Sequence, residues 1–168
     1  MTEKKVKAWH FVNGEGRTLC YDAHDMLVKA GYIYSMDPED NLAPSLCYRG
    51  MHGSRKIFQA FEYAQSTILS RVTIWGDIEE GCDKLCGRHR QVHQVLDIKR
   101  PLIKVMKEII DLNRRRKWGL DPSYLTPCLE RFQDNPEDLC YARRFLYGST
   151  EKDKLYAEKY LSSLFERI

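Results

Sequence analysis

The sequence predicts an α+β fold: a small mixed or antiparallel sheet with packed helices over residues 1–97, then a helical C-terminal part over 98–168 packed on that core. Three observations predict it. Short runs rich in β-branched and aromatic residues, punctuated by glycines, fill the first half. Proline-headed stretches with apolar residues three and four apart fill the second. The apolar share, 43% of 168 residues, supplies one ordinary core with a helical appendage.

The elements follow in order. Residues 6–13 alternate Val6, Ala8, His10 and Val12 against Lys7, Trp9 and Phe11, which is a strand. The turn Asn13–Gly16 leads to a second strand, Arg17–Tyr21, and so to a hairpin. Asp22 caps a short expected helix to Ala30, ended by Gly31. Tyr32–Tyr34 reads as a strand, and 37–44 as a loop. Around Met51 and His52 two glycines make a tight strand-to-helix turn. An amphipathic helix is expected over Phe58–Gln65, a strand over Ile68–Ile78 and a helix over Cys82–Leu96. Pro101 opens a helix that Gly119 ends, with basic residues 114–117 in its last turn, where the helix dipole favours them. Asp121-Pro122 and Asn135-Pro136 each read as an N-cap and first residue. A last helix starts near Ser149 or Thr150.

Composition excludes some classes. Net charge is +3, with 27 basic against 24 acidic residues, too mild to announce a nucleic-acid partner by itself. The N-terminal stretch is charged and lacks the apolar segment of a signal peptide. No run approaches the ~18 apolar residues of a membrane span. The expected location is therefore cytoplasmic. There Cys20, Cys47, Cys82, Cys86, Cys128 and Cys140 are expected as thiols, ligands or nucleophiles rather than disulfides.

Four patterns carry candidate chemistry. Cys82, Cys86, His89 and His93 share one face of the expected helix, and thiolate and imidazole are zinc's preferred ligands. One straight helix cannot enclose an ion, so a buried face is the better reading and no metal is assigned. Gly50, Gly53 and Ser54 around His52 could hold a ligand against backbone N–H groups. Asp77, Glu79, Glu80 and Asp83 are clustered in sequence, as acid/base or metal-binding carboxylates can be, or as a solvated turn. Finally, Lys99, Arg100, Lys104, Lys107, Arg114, Arg115, Arg116 and Lys117 form a basic stretch, split around its helix. It could dock an acidic protein surface or, with Trp118 stacking, contact nucleic acid.

Two resemblances add to this. The run Cys47-x-Arg49-Gly50-Met51-His52, then Ala60-x2-Tyr63-Ala64, Val72-x3-Gly76-Asp77, and the Asp83-Lys84 pair resembles a family of small uncharacterised domains of phages and prophages. It covers roughly residues 5–95. The resemblance implies a mobile-element origin and a protein that binds and antagonises a host macromolecule, a CRISPR or other defence component included, by occlusion. The partner would be a host protein or ribonucleoprotein complex in the host cytoplasm, with no membrane and no cofactor. The chain also resembles ADP-ribosyltransferases. That likeness implies NAD held by His10 on an early strand, by the Gly50–Ser54 turn and by Tyr63 on the following helix. His10, His52 and Tyr63 are then the candidate catalytic residues, and they must meet in one cleft. Glu79 and Glu80 are the nearby candidates for the catalytic glutamate, and the family's His-Gly dipeptide is absent from the first strand. With no clear catalytic set, binding is expected ahead of catalysis.

Overall fold

A computed structural model describes residues 3–18, 26–37, 39, 41–46, 48–115 and 122–166. Among them the chain runs β1 (Lys5–Phe11), β2 (Ile33–Ser35), β3 (Met51–Gly53), α1 (Ile57–Phe61), β4 (Ile68–Trp75), β5 (Glu79–Glu80), β6 (Leu85–Gly87) and β7 (His89–Asp97). Then follow α2 (Lys99–Arg115), α3 (Pro122–Asp134), α4 (Leu139–Tyr147) and α5 (Glu151–Ser163). The fold is α+β, as expected. It divides into two compact units, Met1–Leu96 and Asp97–Ile168.

Alternation builds the first unit. In β1, Val6 and Ala8 are buried while Lys5 and Lys7 are exposed, the pattern of a strand with one wet face. β1 pairs antiparallel with β4, which sets Val6 against Ile74 and Ala8 against Val72. The larger sheet has the order β1-β4-β7-β2, and a smaller one has the order β3-β6-β5. Valines from the large sheet and Leu85 from the small one share a core. Beyond β4 the chain turns through Gly76 and Asp77, at φ 79° and 46°.

Several expectations fail here. The Cys82–Leu96 segment is not a helix but two strands, β6 and β7. The physical reason is that side chains four apart share a face in a strand as well as in a helix. Arg90 and Val92, two apart, are the buried positions, which is strand periodicity. β7 also lies between β4 and β2, whose backbone groups it satisfies. The Gly50–Ser54 turn contains a three-residue strand, β3, and the following helix is a single turn. Residues 26–30 are not helical: Leu27 bridges to Arg17, and Val28 N–H donates to Gly16 O at 2.8 Å. The run ahead of Gly31 is too short to offset helix nucleation. The expected strand Arg17–Tyr21 and the Asp22 cap otherwise fall on 19–25, outside the described residues.

The second unit is helical. Asp97 Oδ1 accepts from Lys99 N at 2.9 Å at the head of α2, so Pro101 lies inside the first turn. Asn135-Pro136 is a turn, and Asp138 caps α4 instead. Thr150 and Asp153 form a capping box on α5. Buried Asp153 also accepts from Asn113 Nδ2 of α2 at 3.2 Å. The basic residues of α2 are less scattered than their spacing suggests. Arg100, Lys104, Lys107 and Arg114 all lie on its exposed side, with Asp111 among them. Arg116, Lys117, Trp118, Gly119 and Asp121 fall outside the described residues. Among the described residues no helix is long and apolar enough to cross a membrane.

Candidate functional site

The site begins with a close approach of two strands. Trp9 N–H donates to Ser54 O at 2.8 Å, and Ser54 N–H donates back to Trp9 O at 2.9 Å. This reciprocal pair pins the end of β3 to β1. It requires Gly53: a Cβ there would sit 2.9 Å from Ile74 Cδ1 and 3.1 Å from Ala8 Cβ. Gly50 serves a different approach, of the chain ahead of β3 to the Pro44 loop and to β6. Its φ is 115°, and a Cβ would lie 3.1 Å from Pro44 Cβ and 3.2 Å from Gly87 O. Helix α1 is held against β1 by Phe61, whose ring meets Phe11 edge-on with centroids 5.3 Å apart.

These constraints enclose a cavity of about 380 Å3 lined by β1, β3, α1 and two loops. His10, His52 and Tyr63, the candidates from the transferase resemblance, all line it, together with Gly53 and Ser54. Gly50 does not. Trp9, Phe11, Tyr48, Ala60 and Lys84 complete the wall. The backbone behind His10 is fixed by Ser70 Oγ, which donates to His10 O at 2.8 Å. Behind His52, the fully buried Arg90 donates from Nη1 to His52 O at 3.2 Å. Both histidines make further interactions. His10 Nδ1 and His52 Nε2 are buried atoms that take no hydrogen bond.

At the mouth, the Tyr63 hydroxyl donates to Asp83 Oδ2. That bond holds the Asp83 carboxyl below its usual range and, with burial second, pushes the Tyr63 phenol up. Tyr63 is therefore a protonated donor near neutral pH. The Lys84 ammonium lies 4.7 Å from the centre of the Tyr63 ring. Among the described residues of the lining, Lys84 is the one lysine or arginine, and none is an aspartate or glutamate.

The acidic candidates lie outside that lining. Glu80 pairs with Arg55, whose Nη2 donates to Oε2 at 3.0 Å, and Glu79 accepts from Leu46 N at 3.1 Å. Asp77 is held by Arg88 at 2.6 Å. Each carboxylate is committed to its own partner, and neither Glu79 nor Glu80 reaches the cavity. The Cys/His stripe disperses too: Cys82 precedes β6, Cys86 is buried in it, and His89 and His93 lie on β7. No metal-binding group of three ligands forms among the described residues. Cys20 and Cys47 lie outside those residues.

Sequence reasoning missed the aromatic part of the wall. Trp9 and Phe11 flank His10 in the chain, so their place beside the site was legible once His10 was chosen. Tyr48 carried no local signal. It is 83% exposed, an unusual state for an aromatic ring at a cavity mouth. No protein-family model, no curated protein and no solved structure matches the chain.

Proposed function

We propose that residues 3–96 form a nucleotide-binding unit whose cavity takes an NAD-type dinucleotide. The observation that carries this is the convergence of His10, His52 and Tyr63 on one cavity with Ser54. The cavity's size lies in the range of small-molecule sites, and its walls are largely aromatic. Trp9 and Tyr48 suit a planar base. The histidines and Ser54 suit ribose hydroxyls, and Lys84 suits a phosphate. A glycosidic transfer also needs an anion to stabilise an oxocarbenium-like centre. Among the described lining residues none is a carboxylate, so we read the unit as binding the nucleotide without consuming it. Titration calorimetry with NAD tests this. Binding at micromolar to millimolar Kd, lost in Trp9→Ala and His52→Ala, is expected, with no nicotinamide released on incubation. Absence of binding at millimolar NAD overturns the proposal, and nicotinamide release overturns the binding-only form.

A second reading rests on α2. Its exposed Arg100, Lys104, Lys107 and Arg114 make a basic side suited to an acidic macromolecular surface. On this reading the chain is a phage-type antagonist that occludes a host protein or ribonucleoprotein. Charge reversal at Arg100, Lys104 and Lys107 should then abolish capture of that partner from host lysate. Unchanged capture counts against α2.

A further inference from the structure

Along Lys5–Lys7, Thr73–Trp75 and His89–His93, one side of the four-stranded sheet faces away from the core, whereas at Trp9 and Phe11 the same side is buried, and its chemistry is one-sided. The register sets Lys5 opposite Trp75, Lys7 opposite Thr73, and Trp9 opposite Arg71. On the far flank Ser35 stands opposite His89, and Ile33 opposite Gln91. Contacts place Lys5, Thr73, Trp75, His89, His93 and Ser35 on one face. Thr73 Oγ1 and His93 Nε2 are 2.7 Å apart, Ser35 Oγ and His89 Nδ1 are 2.8 Å apart, and the Trp75 and His89 rings lie 5.3 Å apart. Lys5, Lys7 and His93 are exposed, and Arg71, Trp75 and His89 are partly so.

The charge is unbalanced. β1, β2 and β4 contain no acidic residue, and β7 contains only its last, Asp97. The Lys5 ammonium sits 5.1 Å from the Trp75 ring centre, and the Arg71 guanidinium 4.2 Å from that of Trp9. Lys5 and Arg71 therefore stand on rings with Lys7 between them, and the one carboxylate of the four strands, Asp97, lies at the far end of β7, where it accepts from Lys99 N. The His93 pKa is held down by partial desolvation of its ring and then by the neighbouring Arg71 and Lys7.

We propose that this sheet face binds single-stranded nucleic acid. Cations that track phosphates, interleaved with rings on which bases stack, are what such binding needs. A four-stranded sheet is wide enough for two or three bases. An acidic peptide would use the lysines but gain nothing from Trp75 and His89. Lys5 lies on Trp75 as a flexible, exposed chain. Base stacking outweighs an exposed cation–π contact, so a base can displace it. Lys5, Lys7 and Trp75 line no part of the cavity, although Trp9, at the covered end of the same strand beneath Arg71, does.

The test is fluorescence anisotropy of a fluorescein-labelled oligouridylate of about a dozen nucleotides, a length in the range such surfaces cover, titrated with the full chain. Binding at about 50 mM salt that weakens steeply toward 200 mM is expected. Lys5→Glu with Lys7→Glu should weaken it at least tenfold, and Trp75→Leu about tenfold. Lys5→Ser with Lys7→Ser, which removes charge at exposed positions without reversing it, should reproduce most of the lysine effect. No binding by the native chain overturns the proposal. So does equal affinity for a duplex, or equal competition by polyglutamate, which would mark a surface for acidic protein. Loss through Arg100, Lys104 and Lys107 with no effect of Lys5, Lys7 and Trp75 overturns it as well.

Discussion

Residues 50–63 and residues 82–93 look equally loaded with chemistry in the sequence, and the fold treats them in opposite ways. The first segment brings His52, Gly53, Ser54 and Tyr63 to one cavity, where His10 joins them. The second spreads Cys82, Cys86, His89 and His93 over a loop and two strands. The difference lies in what holds each segment. The first is pinned at both ends, by the Trp9–Ser54 backbone pair and by Phe61 on Phe11. The second is sheet, and strand alternation sends its side chains to different surroundings: Arg90 inward, His89 and His93 outward. Spacing alone gathers residues only when the element is the one that spacing assumes.

The sharpest way to break the contrast is to unpin the first segment. Gly53→Val places methyl groups where Ile74 Cδ1 already lies 2.9 Å from an ideal Cβ. It should cost about 3 kcal/mol, the upper part of the overpacking range, seen in chemical denaturation, and should abolish nucleotide binding. Gly14→Val, with no atom within 4 Å, is the control and should cost little by comparison. Equal costs would mean that the β1–β3 approach does not determine the site.

Of the four cysteines and histidines in the second segment, only Cys86 should matter to stability. It is fully buried in β6 under the Gly50 turn, whose ideal Cβ would be 3.4 Å from Cys86 Cβ. Cys86→Ser buries a more polar group and should cost about 1–2 kcal/mol. Cys86→Ala should cost less, because it needs no new hydrogen bond. The reverse order would point to a chemical role for the thiol.

How much of this was legible follows from the same contrast. The α+β class, β1, β4 and the start of α5 were legible, because alternation and a Thr-x-x-Asp cap are local signals. The cavity was legible in part: His10, His52, Tyr63, Gly53 and Ser54 meet in one cavity, which Gly50 does not line. Tyr48 and Lys84 were not, because they arrive through loops whose course depends on pairing between β3, β5 and β6. The basic sheet face was hidden by the helix expected over 82–96. His89, Gln91 and His93 become neighbours of Trp75 and Lys5 only when β7 is a strand beside β4. On α2 the stripe was in the numbering all along, at intervals of four, three and seven residues.

Tyr63→Phe sharpens the first segment by removing one bond. The Tyr63 hydroxyl donates to Asp83 at a half-exposed site, so the loss at neutral pH should be below about 1 kcal/mol. The pH profile tells more. Asp83 is more acidic in the folded chain, so its contribution is present above the unfolded carboxylate range and fades as pH falls through the lowered folded value. Tyr63 is less acidic when folded, so its contribution is complete below pH about 10 and fades as pH rises through the raised folded value. Tyr63→Phe should flatten both limbs of the stability profile. If only the alkaline limb changes, Asp83 draws its stabilisation from another donor.

The smallest effect is expected where the sequence looked most promising. Cys82→Ala, His89→Ala and His93→Ala combined should cost no more than about 0.5 kcal/mol per site, as for surface positions, and zinc should leave Tm unchanged in both native and triple-variant protein. The electrostatics give the reason. His93 already shares Nε2 with Thr73 Oγ1, and its pKa is lowered by burial, then by Arg71 and Lys7. Those cations repel a divalent ion as they repel a proton. His89 is turned toward Ser35 and stacked on Trp75, and Cys82 is directed to Asp83. A rise in Tm with zinc that the triple variant abolishes would restore the metal reading. It would also mean that the sheet face attracts cations, and the nucleic-acid proposal for that face would fall with it.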